Sequence, residues 1–424
     1  MRIVEAKEFS LKREEAEPYE KERETVLDII QHIRQYGDQA LRAFTRRFDG
    51  AELIDFRVPE AAFAEAYNQV APEFVNALRD AIANIRRYHE AQRRQSYLMM
   101  DEEGTTLGQL VRPLQRVGVY VPGGTASYPS TVLMNVIPAQ VAGVPEIVVA
   151  TPPDKEGNVN PGVLVALQEL GITEVYRVGG AQSIAALAYG TQSIRPVDKI
   201  VGPGNIYVAL AKQAVFGKVS IESIAGPSDI LVVADDTADP EYVAADLLSQ
   251  AEHGETSQAI LVTPSRELAE KTAVALERQL AALPRREITE VSIRNMGAIV
   301  VTADLAEAVD VANRVAPEHL ELIVGNPDDW IGRIVNAGAI FVGAYSTEPV
   351  GDYYCGTNHV LPTEGTARFS SPLNVDDFLK KTSLIRYSKT SLLNHGHKII
   401  ALAEAEGLEA HANAVRIRLQ KEGK

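Results

Sequence analysis

Between Val117 and Ala234, short β-branched runs alternate with longer apolar segments, and this alternation restricts the fold more than any other feature of the chain. The runs are Val117–Val121, Glu146–Ala150, Glu174–Val178, Lys199–Val201 and Ile230–Ala234, with helical patterns near Thr131–Ala142, Val163–Leu170, Gln182–Tyr189 and Tyr207–Val215. Strands that are apolar on both faces and separated by helix-length segments predict βαβ units, hence a mainly parallel sheet covered on both sides. A second series follows. Tyr242–Glu252 and Arg266–Ala282 read as helices, and Ala259–Val262, Ala298–Val301, Leu320–Val324 and Ala339–Val342 as strands.

The ends of the chain read differently. Residues 1–95 carry apolar residues at three- and four-residue spacing, over Glu20–Phe48 and Glu60–Gln95, and are predicted helical. The tail from about Asp376 is predicted helical, with no partner strand. A tail with one apolar face must bury it on its own body or on another subunit.

Composition excludes some functions. A net charge of −15 argues against sequence-independent nucleic-acid binding, which needs a basic footprint. It leaves room for a phosphate-bearing cofactor, which needs only local donors. The single cysteine, Cys355, rules out an intramolecular disulfide and a Cys-rich zinc site. The N-terminus turns charged by Glu5, so no secretory segment is read, and no apolar run reaches membrane-spanning length. The expectation is a soluble, cytoplasmic protein with neither membrane nor nucleic-acid partner.

Several constellations have chemical potential. Gln250 and His253 stand three apart on a predicted helix, so an amide oxygen and an imidazole share one face. A polar helix face ending at Gly254 explains the same residues. Asp352 and His359 lie in a Gly-rich loop, and Glu406 and His411 in the tail; spacing alone leaves the ligand set open. Glu318 and His319 follow Pro317, which ends the preceding helix near Ala316. They offer a carboxylate and an imidazole at the mouth of a strand, a pairing suited to proton transfer, although an exposed loop pair would look the same. Glycine-rich turns follow three strands, at Tyr120–Ser130, Gly179–Gln182 and Gly202–Asn205, which points to a shared ligand crevice. Cys355 is a candidate nucleophile for aldehyde oxidation, but no basic cluster surrounds it.

Taken in order, the stretches Gly118–Gly124, Val178–Gln182, Val201–Asn205, Ala225–Ser228, Asp246–His253, Ala316–Leu320, Gly351–Asp352, Gly356–Pro362 and Glu406–His411 are specific. Through them the chain resembles the histidinol dehydrogenase family over nearly its whole length. The resemblance implies oxidation of L-histidinol to L-histidine through L-histidinal, with NAD reduced at each of the two steps, as the last reaction of histidine biosynthesis. It implies one zinc ion per subunit, held by Gln250, His253, Asp352 and His411, which also meet the substrate. Ser228, Glu318, His319 and Glu406 complete the implied substrate contacts, and Tyr120, Gln182 and Asn205 the NAD contacts. His319 is the implied base and Glu318 the activator of water. The implied assembly is a homodimer in which each tail completes the other subunit's site.

The expected fold class is α/β, with two Rossmann-like, mainly parallel αβα domains and helical N-terminal and C-terminal extensions. The expected boundaries are a helical arm over 1–25 and a discontinuous domain over 26–116 and 235–372 carrying metal and catalytic residues. A cofactor-binding domain is inserted at 117–234, and the tail runs over 373–424. Two other readings share these residues: a zinc/NAD dehydrogenase acting on another amino alcohol, and a non-catalytic metal-binding homologue. The second would be expected to lack Glu318 or His319, and this chain has both.

Overall fold

The computed structural model describes residues 1–11, 19–123, 128–224 and 226–422. Gly124 of the first glycine turn, residues 125–127 after it, Ala225 of the Ala225–Ser228 stretch and residues 12–18 of the arm lie outside the described residues. The chain forms two compact units, one of Met1–Gln92 with Leu114–Phe378, the other of Arg93–Pro113 with Leu379–Lys424.

The larger unit holds two parallel sheets. One has six strands in the order Arg2–Glu5, Ala298–Val301, Gln258–Thr263, Asp229–Ala234, His319–Ile323 and Ala339–Val342. Its central strands are buried on both faces, and successive residues serve opposite layers. Ile230 and Val232 pack toward the helices Pro240–Ala251 and Arg266–Leu280, while Leu231 and Val233 pack toward Leu305–Val315. Full burial of each such side chain stabilises by roughly 1.5–3 kcal/mol. The other sheet has five strands in the order Val175–Arg177, Glu146–Thr151, Arg116–Tyr120, Lys199–Val201 and Ser220–Ile221. The expected α/β class, two parallel layered sheets with helical extensions, is observed.

Three placements differ from the sequence reading. Arg2–Glu5 is a strand paired with Ala298–Val301, although the first 95 residues read as helical; four residues are too few for periodicity to register. Asp229–Ala234 follows the first series in the chain but pairs with Gln258–Thr263 and His319–Ile323 in the other sheet. Sequence order alone does not decide which sheet a buried strand joins.

The third difference is in the smaller unit, where the tail does have a partner strand. Leu379–Arg386 pairs antiparallel with Thr106–Pro113, which also pairs with Tyr97–Met100. Neither face of Leu379–Arg386 is deeply buried, so its sequence lacks the alternation that marks a half-buried strand. Helices Lys389–Ala405 and Glu409–Lys421 follow, separated at Gly407, whose φ of 71° supplies the left-handed turn.

An ion cluster closes the amino end of the five-stranded sheet. The buried Arg116 guanidinium donates bidentately to Glu174, at 2.6 and 2.8 Å, and to Glu146 at 2.8 Å, joining three adjacent strands. Arg116→Ala strips the Glu174 carboxylate of its guanidinium beside the core, while Glu146 keeps its pair with Arg195 at 2.6 Å. It is expected to cost about 2–4 kcal/mol, seen as a lower urea midpoint at unchanged slope. An unchanged midpoint would show the cluster to be energetically idle.

Candidate active site

The helix Leu305–Val315 ends at Ala316, whose left-handed φ of 50° turns the chain sharply before Pro317. Such a conformation is strained for alanine and is kept by its surroundings. It delivers Glu318 and His319 to the start of a central strand. There Glu318 N–H donates to Asp229 Oδ1 at 2.8 Å, and Asp229 N–H donates back to Glu318 Oε2 at 3.1 Å. Gly338 sits so close that a Cβ would lie 2.5 Å from the Glu318 carbonyl oxygen. His319 Nδ1 lies 3.1 Å from the Asp229 carbonyl oxygen. A carbonyl only accepts, so Nδ1 carries a proton and Nε2 is the working nitrogen. Nε2 is buried without a hydrogen-bond partner, 3.4 Å from Asp352 Oδ1.

These residues stand at the amino end of their sheet, whereas open α/β sheets bind ligands at carboxyl ends. The other sheet supplies the carboxyl ends. A cavity of about 570 Å³ is lined by Ser228, Gln250, His253, Glu318, His319 and Asp352 on one side, and by Tyr120 and the turn Pro203–Asn205 on the other. Eight residues singled out from the sequence thus meet in one space. Gln182 does not line it; buried, it turns its Nε2 toward Asp49 Oδ2 at 3.4 Å. Tyr120 Oη accepts from Gly180 N–H at 3.1 Å. Glu406 and His411 belong to the smaller unit, where both are exposed, on either side of the Gly407 break.

Two participants, Glu348 and Asp229, escaped the sequence reading, and a third, His359, was named but given no role. Glu348 lines the cavity, and ligand atoms of His319, Glu348 and Asp352 lie within 4.8 Å of one another. His359, set aside as one loop histidine among others, also lines it, its Nδ1 3.1 Å from the Asp352 carbonyl oxygen. Asp229 braces both Glu318 and His319; its only sequence signal is a charge at the head of an apolar strand.

The electrostatics favour a cation. Among the described residues, no lysine or arginine lines the cavity. Gln250 Oε1, a hard acceptor on the helix Pro240–Ala251, is buried without a partner. Burial pushes Glu318 up to about 8, the charge of His319 working against the shift. For His319, burial opposes the charged ring, but the carboxylates of Glu318 and Asp352 outweigh it and push it up to about 10. Burial keeps His359 below its ordinary value, in the neutral form that ligates metals. Behind this layer, burial and then Asp246 push Glu321 up to about 9, and Glu321 Oε1 accepts the Glu348 N–H at 2.8 Å. Two unpartnered buried atoms, Gln250 Oε1 and His319 Nε2, amid carboxylates and imidazoles suit a divalent metal and its ligand.

Comparison with known proteins gives the family. The profile of the histidinol dehydrogenase family matches residues 11–419. The chain is 58% identical over 413 residues to histidinol dehydrogenase from Halalkalibacterium halodurans, covering 97% of each chain. It is 55% identical to that of Bacillus subtilis, again over 97% of each. A solved histidinol dehydrogenase from Elizabethkingia anophelis superposes with a TM-score of 0.92 at 40% identity, covering 98% of this chain and 95% of that one.

The chain belongs to the histidinol dehydrogenase family. It is an oxidoreductase. Beyond the family, an acetylating aldehyde dehydrogenase from Geobacillus thermoglucosidasius shares the fold, with a TM-score of 0.50 at 14% identity and coverage of 86% of this chain and 98% of that one. Cys355 is exposed, does not line the cavity and contacts Thr357 Oγ1 at 3.3 Å. Among the described residues, no helix is long and apolar enough to cross a membrane.

Within this histidinol dehydrogenase fold, Asp49 has a measurable signature. Burial pushes its carboxyl up to about 6 from 3.8, against hydrogen bonds from Gly179 N–H and the Gln182 amide. Folding therefore takes up a proton between about pH 4 and 6, and the stability present below that window is lost as pH rises through 6. Asp49→Asn should be more stable than wild type by about 1–2 kcal/mol at pH 8, after discounting for partial exposure, and equal to it near pH 4. Urea titrations at both values check this; equal stability at pH 8 would refute the burial cost.

Proposed function

We propose that this chain oxidises L-histidinol to L-histidine through L-histidinal, in the cytoplasm, as the last step of histidine biosynthesis. The observation that carries the reading is the buried Glu318–His319 pair, braced by Asp229 and facing the same cavity as Gln250, His253 and Asp352. We assign zinc to Gln250, His253 and Asp352, with the partner subunit's His411 as fourth ligand. Held by these residues, zinc would supply Lewis acidity and an anchor for the amine and imidazole of the amino alcohol. NAD would accept hydride in both steps, held toward Asn205 and Tyr120; Gln182, the third implied contact, would reach it only by turning its amide away from Asp49.

The residues divide the proton work. His319 receives the alcohol proton at Nε2 as hydride leaves, because Nδ1 is committed to the Asp229 carbonyl. Asp352, 3.4 Å away, strengthens that base, and positive charge neutralising Asp352 would tune it back toward neutrality. Burial raises Glu318, and a cation held at Asp352 would lower it toward the carboxylate that draws a proton from water attacking the aldehyde; His319 serves again as base when the hydrate is oxidised. Ser228 lines the same wall and offers a hydroxyl to the substrate.

The proposed active unit is a homodimer. Glu406 and His411 are exposed in their own unit. That unit also exposes Tyr97, Leu98, Met99, Met100, Ile385 and Leu402, each by 51–76%, an apolar surface suited to burial against a second copy. The partner subunit's Glu406 would then meet the substrate.

NADH yield from purified protein and L-histidinol tests the function: about two NADH per substrate are expected from the four-electron balance. A yield of one would mean an alcohol dehydrogenase that stops at the aldehyde. His319→Asn should lose both steps by at least about 100-fold, while Glu318→Gln should lose mainly aldehyde oxidation. Equal damage to both steps in Glu318→Gln would overturn the division of labour.

Metal content gives a second test. His253→Ala should purify with little zinc, whereas His359→Ala, whose Nδ1 is engaged by the Asp352 carbonyl, should retain it. Full zinc occupancy in His253→Ala would sink the ligand set.

A further inference from the structure

The turn Gly202-Pro-Gly-Asn205 faces the cavity from the five-stranded sheet, and its geometry hangs on one residue. Gly202 has φ of 116°, and a Cβ there would fall 2.0 Å from the Tyr120 carbonyl oxygen. Only glycine fits this approach. Both of its backbone polar groups are then taken by a single ion pair. Gly202 N–H donates to Glu222 Oε1 at 2.8 Å, Lys212 Nζ donates to the Gly202 carbonyl at 3.0 Å, and Lys212 Nζ meets the same Glu222 oxygen at 2.5 Å. The Lys212 and Glu222 side chains are 3% and 5% exposed.

A buried ion pair contributes little stability beyond apolar residues of equal volume, so stability is a weak reason for this one. Apolar replacements here would strand the N–H and the carbonyl of Gly202 inside the protein, each costing about 1–3 kcal/mol unless the turn moved. The turn leads directly to the cavity. Asn205, three residues on, caps the helix Ile206–Val215 by accepting Val208 N–H at Oδ1, 3.2 Å away, and Lys212 rides on that same helix. With Oδ1 committed to the cap, the part of the Asn205 amide left to donate to a ligand is Nδ2.

We propose that Lys212 and Glu222 are positioning residues for dinucleotide binding: by clamping Gly202 between them they fix where Asn205 presents its amide and how closely the turn lies on Tyr120. This rests on the assignment of NAD to this wall of the cavity. Neither residue lines the cavity, so both act through Gly202.

The test is the double variant Lys212→Met/Glu222→Gln, which leaves no lone buried charge and keeps an acceptor for Gly202 N–H. Calorimetric titration with NAD should show a Kd raised about tenfold, the scale of one misplaced hydrogen bond. The KM for NAD should rise in parallel, while the KM for L-histidinol and the zinc content stay at wild-type values. Lys212→Met alone, which strands the Glu222 carboxylate, should weaken NAD binding at least as much and lower thermal stability as well. A Kd within twofold of wild type in the folded double variant overturns the clamp, and so does a matching loss of zinc and of histidinol affinity, which would mark a merely structural role. Failure of wild type itself to bind NAD saturably would instead overturn the dinucleotide assignment, and the clamp with it.

Discussion

Five carboxyl groups, those of Asp246, Glu318, Glu321, Glu348 and Asp352, are gathered behind one wall of a cavity that, among the described residues, no lysine or arginine lines. An interior tolerates this only if the charges are removed or answered. Several answers are visible. Backbone N–H groups of Asp229 and Glu348 donate to Glu318 and Glu321. Burial raises Glu318 and Glu321 until protons stay on them near neutrality. His319 places positive charge between Glu318 and Asp352. What remains, an unpartnered Gln250 oxygen beside Asp352 and His253, is the demand that a divalent cation fits. On the proposed reading, the same imbalance that would destabilise an ordinary core supplies bases and metal ligands here.

The two sheets contribute opposite ends to this space, and that arrangement separates two tasks. The six-stranded sheet offers its amino ends, where Glu318 and His319 are locked to Asp229 through the strand backbone and cannot swing. The five-stranded sheet offers its carboxyl ends, where glycine turns let backbone approach a ligand closely. On the proposed reading, proton transfer gains from rigid side chains, and dinucleotide binding from open backbone. The Arg116 cluster lies at the far, amino end of the five-stranded sheet, where it can hold the strands together without facing the ligand. The likeness to an acetylating aldehyde dehydrogenase, at 14% identity, is one of fold alone, and the sole cysteine of this chain does not line the cavity.

Much of this was legible in the sequence, for identifiable reasons. The doubly buried strands announce a parallel sheet because nothing polar interrupts Asp229–Ala234 after its first residue or Ala298–Val301 anywhere. Pro317 marks a helix end, and Glu318 and His319 are neighbours in the chain, so their pairing needs no folding to be seen. Gln250 and His253 are one helical turn apart. Where candidates are separated by a turn or less, residue types and spacing suggested the pairing, and only burial in one cavity distinguishes it from an exposed pair.

Tertiary structure alone decided the rest. Asp229 becomes a brace only because strands 89 residues apart pair in register. Glu348 and His359 join the site because a short helix and a loop fold back over the head of the same sheet. The short strands Arg2–Glu5 and Leu379–Arg386 exist because a partner edge waits for them, and their own residues carry too little alternation to say so. The sequence determined which chemical groups the site would contain, since those depend on residue identity and local spacing. Which of them meet, and at which end of a sheet, followed from strand order, which long-range backbone pairing sets and no local pattern encodes.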